Sequence, residues 1–240
     1  MEKTMKLRLK EVPDLEHAIT AMISPMTLNA YGVSVFKATQ RAGEFIVTFP
    51  EAFHGGFSYG FNVGEAANFA TENWIPHGAR AKLRYRKLEK KEIFSFDRLL
   101  FVLSNHLNEF HDPSILLKEL KTIGIREIHL REQLYLSGVL RTENSKVSQG
   151  ALVGSNISEE NARVDDMRVC HFCQATCFLS TVCCKCSETR VSCPRCWLGR
   201  GECCDQSLVI EWISDAQIHT TIKKITKFVL DSSKLGKRQG

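Results

Sequence analysis

The spacing of hydrophobic positions changes character along the chain. Residues 13–25, PDLEHAITAMISP, carry apolar residues at helical spacing, with Pro13 suited to a first turn and Pro25 to a stop, which predicts a short helix. From residue 31 the pattern shortens. YGVSVFKATQRAGEFIVTFP holds two runs rich in Val, Phe, Ile and Thr around a turn at Ala42 and Gly43, and predicts two strands. A third extended region, GFSYGFNVGEAANFA, is punctuated by Gly55, Gly56, Gly60 and Gly64, a residue type that marks bulges or close approaches to the backbone.

From Ile75 the period becomes helical. IPHGARAKLRYRKLEKKE, SFDRLLFVLSNHLNEF and PSILLKELKTIGIREIHLREQLYLSGV predict three helices, with Ser95 capping the second and Ser114 the third. Residues 141–166 are rich in Ser, Asn, Gly and Glu, lack either period and read as a linker. After the cysteines, SLVIEWI predicts a strand. SDAQIHTTIKKITKFVLDSS predicts a closing helix with Ile218, Ile222, Ile225 and Val229 on one face, followed by a frayed basic tail. Strand runs followed by helical runs make the chain α+β.

Composition alters this picture little: 240 residues, 43% hydrophobic and 25% charged, suit a globular protein with a buried core. No apolar run is long enough to span a bilayer and the N-terminal MEKTMKLRLKEVPD has no signal-peptide pattern, so the chain reads as intracellular, with no membrane partner. The net charge of +5 is uneven, since residues 80–91 carry seven basic residues against one glutamate. On a helix over 79–91, Arg80, Arg84, Lys87 and Lys91 would share a face, either simply solvated or apposed to phosphate or an acidic surface. That face offers non-specific nucleic-acid contact at most.

All ten cysteines lie between Cys170 and Cys204. CHFC (Cys170, Cys173) and CPRC (Cys193, Cys196) are separated by 19 residues, the two-knuckle spacing of a tetrahedral four-thiolate zinc site. Cys184, Cys186, Cys203 and Cys204 offer a second, interleaved set for a second Zn2+. Cys177 reads as core, and Cys183 could exchange roles with Cys184. The competing interpretation is a disulfide framework, disfavoured because the remaining 169 residues before the cluster hold no cysteine and no secretory signal precedes them.

GEFIVTFPEAFHGGFSYGFNVGEAANFATENW closely resembles the second half of the JmjC domain of histone lysine demethylases, and the cysteine segment resembles the five-cysteine, histidine, two-cysteine finger that follows it in JARID1-type members. The resemblance implies a partial double-stranded β-helix of the cupin, jelly-roll kind over residues 1–75, a helical region over 76–140, the linker, a two-zinc finger over 167–206, and a strand and helix over 207–240. By the same resemblance, His54 matches the last ligand of a two-histidine, one-carboxylate iron site, while Asn62, Asn68 and Ala66 line the substrate pocket and Ser58 stands on the same stretch. None of the eight histidines is followed two positions on by Asp or Glu, so the first two iron ligands and the 2-oxoglutarate anchor are expected only in a full-length family member. The chain by itself is therefore expected to be inactive, with Fe(II) and 2-oxoglutarate absent. The finger departs from the family pattern at Cys196, where a histidine is usual, and in the adjacency of Cys203 and Cys204. The resemblance further implies a nuclear protein that meets the histone H3 tail or chromatin. The alternative is a non-catalytic zinc-finger chromatin-interaction module that retains a JmjC remnant.

Overall fold

The computed structural model describes residues 23–142, 168–184, 186–200 and 207–236. The chain divides into two compact units, Met1–Asn68 and Phe69–Gly240.

In the first unit, Pro25 opens a helix rather than closing one: α1 runs Pro25–Ala30, with Pro25 in its first turn, where a missing N–H costs nothing. Most of the helix expected over 13–25 lies outside the described residues. The turn at Ala42 and Gly43 forms, with Gly43 at φ +79° and the Glu44 amide donating to the Arg41 carbonyl at 3.0 Å. The strands expected on either side do not: residues 32–68 form neither helix nor ladder. Their apolar side chains stand in solvent, with Phe36 93% and Phe45 94% exposed. The physical reason is that a strand exists only by pairing its N–H and C=O groups, and the alternating apolar residues find neither a neighbouring strand nor a core among the described residues. The double-stranded β-helix is accordingly not displayed by the described residues of this unit.

The second unit is built on three helices from the middle of the chain, a four-stranded sheet and a C-terminal helix. A 3-10 turn, Glu72–Trp74, leads into α2, Ile75–Lys87. This helix ends earlier than expected, in a left-handed turn: Glu89 has φ +50°, and the Lys90 and Glu89 amides donate to the carbonyls of Tyr85 and Arg86. Lys91 is therefore off the helix. In α3, Phe96–Leu103, the Ser95 hydroxyl accepts from the Arg98 amide at 3.2 Å, the N-cap bond expected of it. In α4, Ser114–Leu136, the expectation fails: Ser114 is the first helical residue after Pro113, and its amide is taken by Asp112 Oδ1 at 3.0 Å. Gly138, at φ +92°, stops α4 by letting the Val139 amide reach back to the Leu134 carbonyl at 3.0 Å.

Strand β1, Leu140–Thr142, falls where the linker was expected to begin and pairs in parallel with β4, Ser207–Glu211. Strands β2, Ser180–Cys184, and β3, Ser187–Ser192, complete a sheet of order β1-β4-β2-β3. Helix α5, Pro194–Arg200, follows β3, and α6, Asp215–Gly236, closes the chain. The predicted face of α6 is buried, Ile218 and Ile225 almost completely, with Ile222 and Val229 partly covered. One core joins α2, α3 and α4 to Ile225; another packs Phe178 and Leu179 against Ile213 and Ile218. Close passage of α6 over α4 depends on Gly124, where any Cβ would lie 2.7 Å from Ile218 Cγ2. Each of the largest fully buried apolar side chains contributes roughly 1.5–3 kcal/mol. No described helix is long and apolar enough to cross a membrane.

Candidate metal centre

The first knuckle is a tight hairpin. The Cys170 amide donates to the Ala175 carbonyl at 2.9 Å and the Gln174 amide to the Cys170 carbonyl at 3.0 Å, with Gln174 at φ +57°. Val169 and Thr176 bridge its base. This turn directs two backbone amides at sulfur, that of Cys173 toward Cys170 and that of Ala175 toward Cys173. The second knuckle uses a helix start: Cys193 precedes Pro194 of α5, whose first turn carries Cys196, and the Trp197 amide donates to the Cys193 carbonyl at 3.1 Å.

The two knuckles meet. The sulfurs of Cys170, Cys173, Cys193 and Cys196 all lie within 4.8 Å of one another, the first three buried and Cys196 half-buried. Cys173 Sγ and Cys193 Sγ are 3.8 Å apart. A zinc–sulfur bond of about 2.3 Å sets the edge of a regular tetrahedron at about 3.8 Å, so the spacing suits a shared ion. It is far from the roughly 2.05 Å of a disulfide, and every described cysteine is unbonded. Crowding also divides the protons unevenly. Hydrogen bonds from Cys173, Cys177 and Cys193 pull the Cys170 thiol far down, those with Cys170 and Cys173 push Cys193 far up, and its bond to Cys193 brings Cys196 down to about 7. Four sulfurs this close give up their protons together only around a cation.

Cys177 is buried in the same cluster, its thiol pushed up by Cys170 and by burial. Of the second proposed set, Cys184 and Cys186 lie with sulfurs 2.7 Å apart, and Cys203 and Cys204 are outside the described residues. Cys184 also contributes to an apolar core with Leu134, Val182, Trp197 and Val209.

The finger is fastened to the helices by groups that no motif announced. Arg86 of α2 donates to Cys193 Sγ at 3.3 Å and also engages Cys173. Burial opposes its charge, but the two sulfurs and Asp97 outweigh that and raise its pKa. Lys82, one turn earlier, pairs with Asp97 of α3 at 2.5 Å. Deeper still, Arg131 of α4 is wholly buried: it donates to Asp215 Oδ1 at 2.7 Å, the Leu179 carbonyl at 2.9 Å and Glu127 Oε1 at 3.3 Å. Ser180 donates to the same Glu127 oxygen, while Tyr135 and Arg141 hold Glu211. The one sequence signal for the inward basic residues is their spacing, since Lys82 and Arg86 continue the face of α2 that buries Ile75 and Gly78.

The remaining candidate residues are not gathered. His54 is exposed, its Nδ1 3.0 Å from the Ala52 carbonyl, and belongs to no metal-ligating group among the described residues. Asn62 bonds only locally to the Gly60 carbonyl among the contacts seen, and Asn68 and Ala66 are exposed. Arg80, Arg84 and Lys87 form an exposed edge of α2, and Lys91, also exposed, stands beyond its end.

Comparison with known proteins matches both ends of the chain. Residues 1–69 match the family described as JmjC domain, hydroxylase, and residues 170–221 match the C5HC2 zinc finger. The chain is 32% identical over 230 residues to lysine-specific demethylase JMJ17 of Arabidopsis thaliana, covering 95% of itself and 18% of that protein. It is 33% identical over 195 residues to lysine-specific demethylase 5B of Gallus gallus and 34% identical over 191 to lysine-specific demethylase 5D of Homo sapiens. These alignments cover 80% and 77% of the chain and 12% of each relative. Residues 1–69 thus belong to the JmjC domain family and residues 170–221, which fold the four-cysteine cluster, to the C5HC2 zinc-finger family, and relatives matched over most of the chain are lysine-specific demethylases.

Proposed function

We propose that the chain is a portion of an iron(II)- and 2-oxoglutarate-dependent histone lysine demethylase, carrying the C-terminal part of its JmjC domain and the zinc finger, and that by itself it is inactive. The observation that carries this is the match of residues 1–69, containing His54, ahead of a matched finger. His54 would supply one iron ligand, with Asn62, Asn68 and Ala66 at the substrate pocket. One imidazole does not hold Fe(II) against water, and no His-x-Asp or His-x-Glu pair occurs in the 240 residues. The residues present therefore do not fit an iron centre, and no reaction step is assigned to them.

The zinc finger is the part that fits its metal. Cys170, Cys173, Cys193 and Cys196 would hold one Zn2+, and Cys184, Cys186, Cys203 and Cys204 a second. Each ion cross-links distant parts of the finger and so contributes folding energy rather than catalysis. A second reading, a non-catalytic chromatin-interaction module, is favoured by one observation: residues from 69 onward build their own cores, whereas residues 32–68 bury almost nothing. Under either reading the chain works in the nucleus at histone H3 tails or chromatin, with the exposed face of Arg80, Arg84, Lys87 and Lys91 a non-specific contact to phosphate.

The test is a demethylase assay on methylated histone H3 peptides with added iron and 2-oxoglutarate. No formaldehyde release is expected. Turnover that disappears in His54→Ala would overturn the assignment of inactivity.

A further inference from the structure

Helix α2 is anchored unevenly. Its buried residues, Ile75, Gly78 and Lys82, all lie in the first two turns, against Trp74, Phe96 and Asp97. The last turn buries none. Among the contacts seen, the Arg86 guanidinium ties that turn to the finger, bonded to Cys193 Sγ at 3.3 Å and engaging Cys173. Glu89 and Arg200 add only an exposed pair at 3.8 Å. Arg86 Nε is buried with no hydrogen-bond partner.

The charges explain why an arginine belongs there. A divalent ion with four thiolates carries a net charge of −2, which is costly to bury without a counter-charge or hydrogen-bond donors on the sulfurs. Backbone amides serve Cys170 and Cys173. Arg86 serves Cys193, and it comes from a helix 107 residues earlier in the chain.

We infer that Arg86 is an outer-sphere positioning residue of the four-cysteine zinc site, and that through it metal occupancy fixes the last turn of α2 and the basic side chains Arg84 and Lys87 that the turn presents. The inference rests on the zinc assignment above. Zinc loss frees the guanidinium from the sulfurs, and loss of the guanidinium weakens the hold on zinc. Each effect is local: the Ile75–Lys82 part of the helix keeps its apolar and ionic contacts with α3.

The experiment compares zinc-loaded wild-type chain with Arg86→Gln, Arg86→Lys and the same-turn control Arg84→Gln. It measures zinc per chain, zinc release to a colorimetric chelator, and amide hydrogen exchange along α2. Arg86→Gln is expected to release one class of zinc about 10–100-fold faster, the usual effect of removing an outer-sphere partner. Exchange rises at residues 84–90 and stays unchanged at 78–82. Arg86→Lys falls between, since an ammonium keeps the charge but not the two-pronged donor, and Arg84→Gln releases zinc like wild type. Release from Arg86→Gln within about twofold of wild type, or exchange rising evenly along α2, overturns the inference. Wild-type protein that binds no zinc overturns the zinc assignment itself, a separate result.

Discussion

Replacing Arg131 by Met tests whether the helical region and the finger form one cooperative body. The guanidinium is 0% exposed and touches three elements beyond its own helix: the Leu179 carbonyl before β2, Glu211 at the end of β4, 3.7 Å away, and Asp215 at the start of α6. Met fills much of the volume but leaves Glu127, 12% exposed, without its cation, while Glu211, 5% exposed, keeps Arg141 and the Leu179 carbonyl keeps the Trp212 and Ile213 amides. Asp215 is 39% exposed and rehydrates, so its 2.7 Å bond is discounted. Removing one partner of a buried charge cluster costs about 3–5 kcal/mol. For a unit of this size that corresponds to a fall in melting temperature of about 6–20 °C. The pH dependence follows from Glu127. Burial already raises its pKa, opposed mainly by Arg131, so in the variant it rises further. A carboxyl whose folded pKa is raised favours the folded state while protonated, and that contribution disappears as pH rises through the folded value. The deficit of Arg131→Met should therefore be smallest in acid and grow toward neutral pH. The assay is urea unfolding of zinc-loaded protein, followed by circular dichroism at several pH values. A loss under about 1 kcal/mol at neutral pH, or a deficit that shrinks as pH rises, refutes the reasoning.

Gly124→Ala should be net destabilising by about 1 kcal/mol in the same assay, because overpacking against Ile218 costs about 1–3 kcal/mol and helix propensity returns about 1; a midpoint at or above wild type would contradict the close approach of α4 and α6. Ser95→Ala should cost about 1 kcal/mol through the lost bond to the Arg98 amide, while Ser95→Asp retains most of it. Burial raises the Glu92 carboxyl, with Lys82 opposing, so its contribution to stability is lost as pH rises from the unfolded carboxylate value through the folded one. Glu92→Gln removes that loss, and its stability relative to wild type should climb across the window; parallel pH profiles would show that the carboxyl is not held up.

What was legible in the sequence was local. The Ser95 cap, the apolar face of α6 and the two-residue gap in each knuckle are short-range patterns, and they appear as the cap bond, the buried Ile218 and Ile225, and four converging sulfurs. What depends on remote partners was not legible. Strand β1 hid at the start of a polar linker because its ladder is with β4, Leu140 facing Leu208. Residues 32–68 carry strand-like side chains, but nothing among the described residues pairs with them. Lys91 was placed on a helix that a left-handed turn at Glu89 ends first, a conformation glutamate seldom adopts and no glycine signalled. Arg86 and Arg131 were invisible for a different reason: long cationic side chains read as surface, and only their thiolate and carboxylate partners in space make burial tolerable.

The most direct test of the zinc centre is X-ray absorption at the zinc edge, combined with metal analysis, on protein purified without added metal. The account predicts about two zinc ions per chain, each with a shell of four sulfurs at about 2.3 Å. It further predicts that Cys193→Ser loses one of them. A folded protein with almost no zinc, or a shell dominated by nitrogen and oxygen, would contradict it.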